Sequence, residues 1–94
     1  MQVRLKVYGI LRSMTGELPE SLDIPGHTLA DLIDLLARKY GQKIKDELLD
    51  EKGELDFSYA FFVKGERQTD IHVEIHERDE IVITNMLGGG GSKL

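Results

Sequence analysis

The sequence predicts an α+β domain, a mixed four- to five-stranded sheet with one main helix packed on one face. Three observations predict it. Apolar and polar residues alternate from Val3 to Tyr8, which is the period of a half-buried strand. A helical apolar stripe with its own start signal begins at Thr28. The second half holds two further β-forming runs, Ser58 to Val63 and Ile81 to Thr84.

Taken in order, Val3, Leu5 and Val7 point to one face and Arg4, Lys6 and Tyr8 to the other, with Gly9 ending the strand. Ile10 to Thr15 reads as a short turn or helical piece closed by Gly16. Glu17 to Ile24 is the second strand segment, with Leu22 and Ile24 on one face and Asp23 opposite. Pro19 has no N–H to give to a ladder, so pairing starts after it. Pro25-Gly26 is a turn signal.

Thr28 followed by Asp31 reads as a capping box with Asp in place of Glu. Leu29, Leu32, Ile33, Leu36, Ala37 and Tyr40 then form one stripe, with Arg38 and Lys39 in the last turn and Gly41 beyond it. A second short helix is expected within 42–51, on the edge formed by Ile44, Leu48 and Leu49. Lys52-Gly53 is a turn, and Ser58 to Val63 is an interior strand. Lys64-Gly65-Glu66 is a tight turn, and a short fourth strand is expected within Thr69 to His76. Arg78-Asp79-Glu80 is a polar turn before the last strand. Crossover rules let the first and last strands pair in parallel at the centre of the sheet, the arrangement called a β-grasp.

Bulk properties remove several functions. The 94 residues fit one domain, expected as a β-grasp unit at 1–87 and a flexible glycine-rich tail at 88–94. There is no cysteine, so thiolate catalysis, disulfides and cysteine-ligated metals are excluded. A net charge of −5 argues against nucleic acid as a partner. No apolar run approaches the ~18 residues of a membrane span. The N-terminus alternates rather than forming a signal peptide, so the cytoplasm is expected.

His72, Glu74 and His76 share a face if 69–76 is a strand, with Ile71, Val73 and Ile75 inward. An outward polar face explains that pattern, and no metal site or catalytic residue is assigned. Phe61 and Phe62 are strand neighbours and cannot both face the helix. One of them is expected on the open face of the sheet, as part of a partner-binding patch.

Several segments together resemble the MoaD/ThiS family of ubiquitin-like sulfur carriers. They are Val3 to Arg12, Leu22 to Leu32 with its Ile24-Pro25-Gly26-His27-Thr28 turn, Phe62-Val63-Lys64-Gly65-Glu66, and Asp79-Glu80-Ile81-Val82-Ile83. Their order and spacing, ending in glycines, span nearly the whole chain. The resemblance implies a carrier rather than an enzyme. Its C-terminal glycine would be adenylated by an E1-like enzyme and converted to a thiocarboxylate. A sulfur-accepting synthase subunit would then receive the sulfur, with molybdopterin first among the products.

The chain itself would bind no cofactor, and ATP would be used by the activating partner. The tail Gly88, Gly89, Gly90 and Gly91 would enter partner channels, which suits residues without Cβ atoms. Met86 and Leu87, with Phe61 and Phe62, would be the partner contacts. A ubiquitin-like protein modifier and a non-covalent β-grasp interaction module are the alternatives.

The tail departs from the family pattern. Gly89 and Gly90 stand where relatives have their terminal pair, and Gly91-Ser92-Lys93-Leu94 is excess. As written, no glycine has a free carboxylate. Three readings stay open: a protease trims the chain, part of the ending is an engineered extension, or the tail carries no chemistry. Ser92-Lys93-Leu94 also matches a peroxisomal address, a pattern of low specificity.

Overall fold

The structure, a computed structural model, describes residues 1–86. Its elements in chain order are β1 (Gln2–Val7), α1 (Ile10–Thr15), β2 (Leu22–Asp23), α2 (Leu29–Tyr40), α3 (Gln42–Leu48), β3 (Tyr59–Val63), β4 (Glu66–Gln68) and β5 (Glu80–Asn85). The strands form one sheet in the order β2-β1-β5-β3-β4. β1 and β5 run parallel, with Leu5 beside Ile81 and Val7 beside Ile83, and the other pairs are antiparallel. The expected α+β class and central parallel pair are both present, and the sheet has five strands.

The α2 helix forms where its signals stand. Thr28 Oγ1 accepts from the Asp31 N–H at 3.2 Å, and Asp31 Oδ2 accepts from the Thr28 N–H at 3.1 Å. These bonds satisfy donors that a helix start leaves without partners. Leu29, Leu32, Ile33 and Leu36 are fully buried against the sheet residues Val3, Leu5, Phe61, Ile81 and Ile83. Burying one such side chain contributes about 1.5–3 kcal/mol. The α3 helix starts directly after Gly41. Its Lys45 ammonium lies 2.7 Å from Asp34 of α2, and its Ile44 and Leu48 enter the same core.

One expected element is corrected. No strand forms within 69–76; the fourth strand is Glu66–Gln68, directly after the turn. Lys64 and Gly65 have φ of 54° and 82°, the left-handed geometry of a two-residue hairpin turn. That turn sets Val63 opposite Glu66 and lets a wholly polar segment pair as an edge strand.

The 69–76 segment has a different task. The Val73 and Ile71 carbonyls accept from the Leu29 and Ala30 N–H groups at 3.0 and 2.8 Å, capping the first turn of α2. Backbone groups used on a helix end cannot also build a sheet ladder. Ile75 is nonetheless buried and Ile71 and Val73 half-buried, so the inward alternation is correct although the element is a loop.

Candidate functional site

The site is the end of the central strand, where the chain runs on toward the glycines. β5 is bonded on both sides, by β1 and by β3, which makes its end a rigid base. Asn85 closes it on the β1 side. Its Oδ1 accepts from the Ile10 N–H at 3.2 Å and lies against Gly9, where a Cβ would overlap it. Gly9 has φ 70° and ψ −137°, a region open almost only to glycine. On the β3 side the Met86 N–H donates to the Ser58 carbonyl at 2.9 Å.

The turn before β3 is held from within. Asp56 accepts from the Ser58 N–H at 2.9 Å and from its hydroxyl, and its own N–H donates to the Leu48 carbonyl at 2.8 Å. The Ser58 side-chain bond, then its backbone bond, holds the Asp56 carboxyl below the usual carboxylate range. Next along β3, the Tyr59 hydroxyl donates to Glu47 at 2.8 Å and stands in register with Asn85. Burial, followed by that bond to Glu47, pushes the Tyr59 hydroxyl up to about 12.

Among the described residues three large apolar side chains are strongly exposed, and all three lie at this end of the sheet. Tyr8 is 52% and Ile10 54% exposed, flanking Asn85 on the β1 side, and Phe57 is 88% exposed on the Asp56–Ser58 turn. Sequence reasoning missed them as site residues. Tyr8 reads as an outward strand position, and Phe57 belongs to no periodic segment. The available signal was Phe57 between Asp56 and Ser58, a bulky apolar residue inside a turn-forming run.

The open face of the sheet is the second part of the site. Arg67, Phe62, Val82 and Lys6 stand side by side across β4, β3, β5 and β1. Phe62 and Val82 are half-buried and stand in the row of Lys6 and Arg67, with Arg4 one row along the same face. The one acid in these rows, Glu80, sits 3.2 Å from Lys6. The negative net charge is therefore not spread evenly. Asp46 and Glu47 belong to α3, and Asp50, Glu51 and Glu54 to the segment after it.

The expected contact residues divide. Phe62 is on the open face, whereas Phe61 is 1% exposed in the core and is removed from the partner patch. The cause is register: Phe61 pairs with inward Ile83, and Phe62 with outward Val82. Met86 is half-buried at the base of the site. Leu87 and the tail glycines Gly88, Gly89, Gly90 and Gly91 lie outside the described residues.

His72, Glu74 and His76 sit in the 69–79 loop, and among the described residues no cluster of metal-ligating side chains is present. His76 Nε2 and Glu74 are 3.9 Å apart, both exposed. No helix among the described residues is long and apolar enough to cross a membrane.

No protein-family model matches the chain, and no curated protein matches it. Solved structures do. SAMP1 from Haloferax volcanii is similar at 20% identity with a TM-score of 0.76, over 96% of this chain and 100% of that one. The Amycolatopsis orientalis BexX/CysO complex contains a chain similar at 25% identity and TM-score 0.75, over 94% of this chain and 99% of that one. A Pyrococcus furiosus protein assigned as molybdopterin converting factor subunit 1 is similar at 22% identity and TM-score 0.70, over 89% and 95%. SAMP1 is a small archaeal modifier protein. By fold the chain is a ubiquitin-like β-grasp protein, and the solved structures it is similar to are MoaD/ThiS-like.

Proposed function

We propose that the chain is a sulfur carrier whose glycine tail is activated and loaded by partner enzymes. The observation that carries this reading is the apolar group Tyr8, Ile10 and Phe57 around the end of β5, three residues of sequence before Gly88. Exposed apolar surface at one point of a small domain marks a protein contact. Here it surrounds the base of a segment whose residues carry almost no side chain.

The chemistry divides between carrier and partner. An E1-like enzyme joins the glycine carboxylate to ATP, giving an acyl-adenylate and releasing pyrophosphate. Sulfide then displaces AMP, and the carbon keeps one oxygen and gains one sulfur; with a persulfide donor the acyl disulfide formed is cleaved by a second thiol, which leaves as a disulfide with the donor. The carrier supplies the carboxylate and the docking surface and holds no cofactor itself. ATP is consumed by the partner. A sulfur-accepting synthase subunit takes the sulfur, and the Pyrococcus furiosus neighbour favours molybdopterin as the product.

Since Leu94 follows the glycines, a protease that exposes Gly90 or Gly91 comes first in this sequence of events. The cytoplasm is the compartment in which such partners meet the chain. Isopeptide attachment to target lysines is the second reading, favoured by the likeness to SAMP1, which a neighbouring structure describes as a small archaeal modifier protein.

Intact-mass spectrometry of the untagged protein from its native host tests both. A species ending at glycine, with one oxygen exchanged for sulfur, is the expected result. Branched adducts on lysine support the modifier instead. A chain that always retains Leu94 overturns both readings and leaves a non-covalent module using the open face.

A further inference from the structure

β1 is covered on its outer side over only part of its length. β2 pairs with it at Gln2 and Val3 alone. Farther along, the Arg4 and Tyr8 N–H groups donate toward β5, to the Asp79 and Ile83 carbonyls at 2.9 and 3.1 Å. Successive residues of a strand present their backbone groups to alternate edges. The N–H and C=O groups of Leu5 and Val7 therefore point outward, away from β5. Among the described residues none of these four groups has a backbone partner. Both residues are 5% exposed overall and line an open cleft.

The reason lies in the second strand. Continuing the Val3–Leu22 pairing would set Leu5 opposite Glu20 and Val7 opposite Leu18. The neighbouring Pro19 has no N–H, and the chain leaves β1 instead. What remains is a cleft of about 480 Å³ along the edge, with Lys6 and Tyr8 on one wall and Leu18 and Pro19 on the other.

We propose that this edge, from Leu5 to Val7, takes an extended acidic segment of a partner protein as an added antiparallel strand. Side chains of such a strand alternate between the two faces. Those on the open face stand beside Arg4, where opposite charges attract across the pair, and beside Lys6, which already lies 3.2 Å from Glu80. Arg4 and the cleft residue Arg12 have no carboxylate within ion-pair distance among the described residues. Glu17, Glu20 and Glu80 also line the cleft, so among the described residues the cations free to select an acidic occupant are Arg4 and Arg12. The alternate positions, toward the core side, are apolar. This surface shares only Tyr8 with the apolar group at the end of β5 and does not depend on the chemistry of the glycines.

The test is an NMR titration of the full chain with a capped hexapeptide alternating glutamate and valine. The Leu5 and Val7 amides should shift and gain at least about tenfold protection from hydrogen exchange. An N-methylated version of the peptide, lacking the pairing N–H groups, should lose that effect. The double variant Arg4→Glu, Lys6→Glu should prefer a lysine–valine peptide. Unchanged Leu5 and Val7 amides at millimolar peptide overturn the proposal, as does equal binding of the N-methylated peptide. Protection in the free chain also overturns it. If that protection is independent of concentration, the chain fills its own cleft; if it grows with concentration, a second copy does.

Discussion

The Asn85 side-chain oxygen accepts the Ile10 N–H at 3.2 Å and occupies the space that a side chain on Gly9 would need. This contact joins the last residue of β5 to the turn after β1, so the base of the tail and the Tyr8–Ile10 surface form one rigid unit. Gly9→Ala should destabilise the domain by about 1–3 kcal/mol, through backbone strain and displacement of Asn85. Urea unfolding measures the loss. A midpoint equal to that of the parent protein would show that the turn tolerates a Cβ.

Partner recognition and stability should separate at Phe57. Its side chain is 88% exposed, so Phe57→Ser should change unfolding free energy by no more than about 0.5 kcal/mol. As a docking anchor, the same change should weaken binding to an E1-like enzyme by about 2 kcal/mol, roughly 30-fold. Steady-state ATP–pyrophosphate exchange reads this as a raised KM for the carrier. An unchanged KM for Phe57→Ser, Tyr8→Ser and Ile10→Ser together would remove the apolar group from the contact.

The capping box should carry part of the acid sensitivity. The Thr28 hydroxyl bond, then the His27 N–H bond, holds the Asp31 carboxyl below its usual range. A depressed folded-state value contributes stability that is present above the unfolded-state value near 3.9 and is lost as pH falls through the folded one. Thr28→Ala should cost about 1 kcal/mol at neutral pH and flatten the acid limb of the stability curve. Carbon-13 titration of the Asp31 carboxyl should show its midpoint rising in that variant.

Alkaline behaviour should report on Tyr59. Its folded-state value, raised to about 12, exceeds the unfolded value near 10. The stability it contributes is therefore full below pH ~10 and declines as pH rises through the folded value. Ultraviolet titration of phenolate should show one late tyrosine, which Tyr59→Phe abolishes. Glu47→Gln should bring that titration down, because one contribution to the shift is removed while burial remains.

The first strand and main helix were legible in the sequence because their signals are local. The period-two run ends at Gly9, and Thr28, Asp31 and Gly41 mark α2 at both ends by bonds within a few residues. The parallel pairing of β1 with β5 followed from a crossover rule of general chirality. The tail glycines were legible as a motif for the same local reason.

Other features depend on partners distant in the chain. Whether Phe61 or Phe62 faced outward depended on the register of β3 against β5. The failure of 69–76 to become a strand depended on the first turn of α2 claiming its carbonyls. The exposure of Tyr8, Ile10 and Phe57 at one end, and the uncovered edge at Leu5 and Val7, arise from which elements stop short of covering them. By itself, the sequence determined the elements that local hydrogen bonds and periodicity specify, and it carried the glycine motif. Tertiary structure alone decided which surfaces were left for a partner, because exposure is set by non-local packing and backbone pairing, which no short stretch of residues encodes.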